Sequence, residues 1–131
     1  MRGAHLACLA FGVLLAGCVA PEPEPAQKPY FWRLMSIDGV PFAAGATLAI
    51  DDGRAFGQGP CNSWTGKVYA TPFPEWRIRD VVATELACED LPAEARFFAA
   101  MDDMTHAAVG IGDLDLVDQK GRAMKFVPLA P

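Results

Sequence analysis

The sequence predicts a mainly β domain: a small antiparallel, barrel-like sheet of about seven or eight strands with one amphipathic α-helix. Three observations predict it. From Tyr30 onward, apolar residues recur mostly with a period of two, in short runs. Turn residues break those runs, in a chain that carries 12 Gly and 11 Pro. One segment alone, from Pro92 to about Thr105, changes to helical spacing.

In chain order, residues 1–17 read as a leader. Arg2 precedes a charge-free apolar run from Leu6 to Ala16, which as a helix spans about half of a hydrocarbon core and so reads as a signal-peptide core rather than a membrane span. Leu15-Ala16-Gly17-Cys18 resembles the lipobox of bacterial lipoproteins. The resemblance implies that the Cys18 thiol is diacylated and the chain is cut before it. Two or three acyl chains exceed what stable anchoring needs, at ~0.8 kcal/mol per buried methylene. In proteins of this type Val19, rather than Asp, implies transfer to the outer membrane. The expected location is therefore the bacterial cell envelope, lipid-anchored on the outer membrane and facing the periplasm. The alternative is an ordinary secretory leader cut elsewhere, for instance after Ala20, with Cys18 discarded.

Residues 18–29 follow as the lipidated cysteine and a tether. Pro21, Pro23, Pro25 and Pro29, with Glu22 and Glu24 among them, leave too few N–H donors for a helix or a ladder. At ~3.1 Å per residue the ten residues 20–29, extended, reach about 30 Å. A proline-rich ligand for an aromatic groove is the other reading, but the spacing is P-x-P-x-P rather than P-x-x-P.

The globular part occupies residues 30–131. Tyr30 to Ile37 reads as a strand ended by Asp38-Gly39, and residues 47–50 pair with 54–58 across Asp51-Asp52-Gly53, where Gly takes φ > 0. Residues 64–70 form the next strand, and Pro72 and Pro74 bracket a loop. Trp76-Arg77-Ile78-Arg79 alternates apolar and charged, so one face is packed and the other wet. In the helical segment Phe97, Met101 and Met104 fall at i, i+4 and i+7 with Phe98 beside them, while Glu94, Arg96, Asp102 and Asp103 lie towards the other side. Asp90 is the candidate cap, and Pro92 suits the first turn, where no donor is lost. After Gly110-Ile111-Gly112, Leu114 and Leu116 alternate with Asp113 and Asp115; residues 122–127 close the chain across Asp118-Gln119-Lys120-Gly121. A barrel-like sheet capped by the helix protects the edges of so many short strands.

The 131 residues suffice for one domain and exclude a second. A hydrophobic content of 52% excludes a disordered chain. Eleven Lys+Arg against sixteen Asp+Glu give −5, which excludes an electrostatic grip on nucleic acid or on anionic lipid.

With Cys8 removed and Cys18 acylated, Cys61 and Cys88 remain in a compartment outside the cytoplasm, where a disulfide is the default. Closing that loop is worth about 3.6 kcal/mol on the chain-entropy relation. A zinc site needs further Cys or His, and the chain beyond the leader offers only His106, so no metal and no cofactor are expected. The context of the pair carries a second resemblance. Gly57-Gln58-Gly59-Pro60-Cys61-Asn62-Ser63-Trp64-Thr65-Gly66, followed by Thr84-Glu85-Leu86-Ala87-Cys88, resembles the G-x-x-C-N-x-x-x-G and T-x-M-A-C motifs of the META domain family, that of the bacterial heat-shock protein HslJ. The agreement runs from Trp32-Arg33-Leu34 and Ile37-Asp38-Gly39 through Phe97-Phe98 to Gly112-Asp113-Leu114-Asp115-Leu116, nearly the whole domain. Pro60 before Cys61, and Leu86 where methionine is common, are departures that touch neither cysteine. The resemblance implies a small antiparallel β-barrel-like domain with one helix, often carried by envelope lipoproteins linked to stress or antibiotic tolerance, and no established reaction. The residues agree: Gly57, Gly59 and Gly66 permit bends and close backbone approach, Asn62 can hydrogen-bond its own turn, and Thr84 belongs to the second motif.

No catalytic residue is assigned. His106 falls where the helix should end, a place the helix dipole favours for a cation. A triad with Ser36 or Ser63 lacks a nucleophile elbow. Asp113, Asp115 and Asp118 lack the glycine-containing calcium-loop pattern and read as solvated strand carboxylates. Asp102 and Asp103 do not converge as an acid–base pair would. The expected function is a non-catalytic envelope domain that contacts an as yet unidentified envelope protein, with the membrane as its second partner through Cys18. The alternatives are a binder of a small apolar or amphipathic ligand, lined by Trp32, Trp64, Trp76, Phe97 and Met101, and an inhibitor of a basic hydrolase such as a lysozyme.

Overall fold

Short alternating strands joined by Asp-Gly turns fold back on their neighbours, and the architecture follows from that local rule. The computed structural model describes residues 30–129. The leader, Cys18 and the proline-rich tether lie outside them. The described elements are β1 (Tyr30–Ile37), β2 (Val40–Pro41), β3 (Thr47–Asp51), β4 (Arg54–Gln58), β5 (Ser63–Tyr69), β6 (Arg77–Ala83), α1 (Leu91–Asp103), β7 (His106–Val109), β8 (Leu114–Val117) and β9 (Ala123–Pro128). Eight strands form one antiparallel sheet in the order β6-β5-β4-β3-β1-β9-β8-β7, and β2 pairs with β1 off that path. Both Asp-Gly hairpins place two successive residues at positive φ: Asp38 (51°) with Gly39 (74°), and Asp52 (44°) with Gly53 (73°). This is the backbone that matches the twist of the flanking strands.

The sheet curls into a half-barrel. Register shifts between Leu34 and Ser36 on the β1–β9 pair, and between Thr65 and Lys67 on the β5–β6 pair, mark bulges that sharpen the curl. The ends of the path then approach each other. Trp76 N donates to Thr105 O at 2.8 Å and Ala107 N to Pro74 O at 2.9 Å, with a bridge between Glu75 and His106. Helix α1 lies against β6 and fills the concave side. Phe97, fully buried, sits between Trp64, Phe42 and Phe98, with ring centroids 5.9, 6.3 and 5.1 Å away. Leu34, Leu48, Ile78, Met101, Leu114, Leu116, Met124 and Phe126 complete the core.

Three local expectations are corrected. The helix stops at Asp103; Met104 is extended (φ −69°, ψ 133°) and His106 opens β7. Met104 is buried as an extended residue, and an apolar residue at that position also continues the helical stripe, so its spacing could not distinguish the last helical turn from the first extended residue. His106 is therefore a strand residue rather than a residue of the helix end. Asp90 precedes the helix but makes no side-chain cap bond. Asp118 is not a solvated strand carboxylate: it is buried and accepts from Lys120 N, Arg122 N and Arg122 Nε. Burial opposes its charge, and the hydrogen bonds from Arg122 and Lys120 prevail, holding its pKa below the usual value.

Phe97→Ala should cost about 3–5 kcal/mol, because the ring is enclosed on all sides and the helix cannot collapse onto the sheet without moving its neighbours. Urea unfolding followed by tryptophan emission measures it. A midpoint equal to the parent's would mean that α1 is not part of the core.

Candidate functional site

The end of β4 runs close to β3, and the loop from it to β5 turns sharply against α1, which explains Gly57 and Gly59. A side chain at Gly57 would place its Cβ 2.0 Å from Thr47 O, and one at Gly59 would stand 2.8 Å from Glu94 Oε2. At Gly66, on β5, a Cβ would meet Ile78 Cγ2 at 2.8 Å. The turn leaves backbone donors pointing inward. Cys61 N and Asn62 N both donate to Glu94 Oε2, at 2.8 and 2.7 Å.

Asn62 joins this turn to the second motif. Its Oδ1 accepts from Thr84 Oγ1 at 2.8 Å and Leu86 N at 2.7 Å, while its Nδ2 donates to Leu86 O at 3.1 Å and Glu94 Oε1 at 2.6 Å. The amide thus satisfies Leu86's backbone N–H and C=O as a neighbouring strand would, and its own hydrogen-bonding capacity is used in full. The Cys61–Cys88 disulfide, Cα atoms 5.8 Å apart, closes the same junction. The structure therefore brings together Gly57, Gly59, Cys61, Asn62, Thr84 and Cys88, and shows that Asn62 bonds across the fold rather than to its own turn.

Glu94 is also misplaced by sequence reasoning. Its position on the helix assigned it to the wet face, yet its side chain is buried. Burial disfavours its charge, but hydrogen bonds from the Asn62 amide and from the Cys61 and Asn62 backbone outweigh that and hold the carboxyl below the usual range. The available signal was an acid in the first helical turn, downstream of a glycine-rich loop that must leave N–H groups without ladder partners.

The other singled-out residues disperse. Trp64, Phe97 and Met101 fill the concave side, and Trp76 is buried beside the seam. Half-buried Trp32 donates from Nε1 to Gly112 O at 2.9 Å. The His106 ring contacts Thr105 Oγ1 at 2.9 Å rather than a serine. Among the described residues, no three His, Cys, Asp or Glu side chains gather into a metal-binding group.

The surface beside α1 carries a cleft of about 400 Å³, lined by Ile78, Val81, Ala83, Phe98 and Met101, with Arg79, Asp80 and Asp102 around it. Arg79 pairs with Asp102 at 2.7 Å, and Lys67 with Asp80 at 2.9 Å. The rim is thus charge-balanced over an apolar floor. The bulge in β6, with Asp80 at φ 53°, shapes this wall.

Residues 27–131 match the family model described as META domain. No curated protein matches the chain. Among solved structures, it is similar to an NMR structure of a protein from Burkholderia xenovorans at 18% identity, covering 88% of this chain and 97% of that one with a TM-score of 0.62. That likeness is one of fold.

Two measurements test the junction. Glu94→Gln leaves one acceptor oxygen where two are used, setting an NH2 against either the two backbone donors or the Asn62 amide, and should cost about 2–4 kcal/mol in urea unfolding. Because the folded-state pKa is lowered, the parent keeps Glu94's contribution above the ordinary carboxylate range, at about pH 4.3, and loses it as pH falls through the folded value. The variant should lack that part of the acid dependence. Reduction of the disulfide should cost a further amount on the order of 3–4 kcal/mol.

Proposed function

The chain belongs to the META domain family, and we propose that it serves as a non-catalytic lipoprotein domain of the bacterial envelope, acting in stress or antibiotic tolerance through contact with an envelope protein. The observation that carries the reading is the use made of the motif residues. Asn62 bonds to both Thr84 and Glu94, Glu94 accepts from the Cys61 backbone, and the Cys61–Cys88 disulfide closes the same junction, so that loop, strand and helix are held together. They present no nucleophile with an adjacent base to a cleft. Function then rests on the outer surface, where the cleft between α1 and β6 opens beside the helix. Its balanced rim and apolar floor suit an apolar side chain of a partner.

The same floor favours a second reading, a small amphipathic molecule held between Phe98 and the wall of β6. The two readings separate experimentally. A photo-crosslinking residue in place of Val81, in the full-length protein in its own membranes, should give a discrete protein adduct that the same residue in place of Lys120 does not. Equal yields at the two positions would remove the cleft as a contact site. An added small mass in native mass spectrometry, with no protein adduct from position 81, would select the ligand.

A further inference from the structure

The end of the sheet where the chain enters is apolar. Tyr30, 68% exposed, stacks on Trp32 with centroids 5.8 Å apart. The Trp32 indole holds Gly112 O and so fixes the β7–β8 loop against β1. Ile111, between Gly110 and Gly112 at the tip of that loop, is fully exposed, and Val109 before it is 62% exposed. Leu129 joins them, its N donating to Phe31 O at 2.8 Å. Exposed Asp51, Asp52 and Asp113 flank this corner. An isoleucine held in water at a loop tip by a buried-side hydrogen bond has no role in the core. Beside a tyrosine and a tryptophan with polar tips, it has the composition of a membrane-interface contact.

We propose that this corner, formed by Tyr30, Trp32, Val109, Ile111 and Leu129, rests in the interface of a zwitterionic lipid surface, with Ile111 the side chain that enters it. The inference builds on the reading of Cys18 as acylated. What selects a membrane as the occupant is where the outside chain joins. Residues 18–29 end at Tyr30, inside the patch, so the acyl chains hold a bilayer within about 40 Å of it. Tethering makes the contact intramolecular, so a patch too small to bind vesicles from solution is sufficient. The tether length is then an upper limit on the height of the domain. The flanking aspartates and the net charge of −5 exclude an anionic surface.

The test uses the full-length protein extracted from its membrane and reconstituted into phosphatidylcholine–phosphatidylethanolamine vesicles. Dibrominated phosphatidylcholine should quench the native tryptophan emission, and Trp32→Phe should remove that quenching, since Trp64 and Trp76 are buried in the domain. A nitroxide on Ile111→Cys should show a severalfold higher ratio of oxygen to nickel-complex collisions than one on Val82→Cys, which is exposed at the opposite end of the sheet. Equal ratios at the two positions, without bromine quenching, overturn the proposal. Exclusion of both reagents from Ile111 also overturns it and makes the occupant protein, either residues 19–29 or a second copy. An intact mass without acyl groups overturns the anchoring itself. An acylated protein with a wet Ile111 overturns only the lipid contact.

Discussion

The Glu94 carboxylate stands where three segments of chain meet: the loop after β4, the strand-like stretch from Thr84 to Leu86, and the first turn of α1. None of these segments has a ladder partner for all of its polar groups. The carboxylate and the Asn62 amide supply the missing ones, and the disulfide prevents the junction from opening. A buried acid is costly unless its lone pairs are used. Here both oxygens accept, so the charge that burial would expel is retained, and it fixes the helix against the sheet at one defined position.

The curl of the sheet depends on that placement. A half-barrel leaves a concave face and two strand ends open, and the hairpins and bulges alone do not cover them. The helix does so with Phe97 and Met101, and the chain leaving it runs directly into β7, whose start meets the segment ahead of β6. Fixing the N-terminus of the helix at Asn62 therefore sets the site of closure as well. The glycines of the first motif are the steric counterpart of the same constraint, since Gly59 admits the Glu94 carboxylate and Gly57 the carbonyl of Thr47.

With the motif committed to the scaffold, the surfaces that remain differ in kind. The cleft beside α1 is apolar with paired charges at its rim, suited to receiving a side chain or a small molecule. The entry corner is convex, aromatic and flanked by acids, suited to lying on a neutral interface. The two lie on different elements, so a contact at one leaves the other free. This division is what an anchored domain that also meets a protein would require.

Much of this protein was legible before folding. The META resemblance rested on two spaced motifs, and the family match over residues 27–131 bears it out. The mainly β architecture, the single helix, the Asp-Gly turn at Asp52-Gly53 and the Cys61–Cys88 pair are local or compositional signals, each encoded by adjacent residues or by spacing. Glu94 and Asn62 were misread, and β7 was missed, for a common reason; the donors to Asp118 lie within four residues of it, in a turn whose conformation its spacing did not specify. A polar side chain's place is decided by donors on distant segments, thirty-two residues away for Glu94 and Asn62, and a strand's existence by the neighbour it pairs with. Periodicity records which residues avoid water; only the tertiary structure decides which polar groups meet, because hydrogen bonds require positions in space that spacing along the chain does not specify.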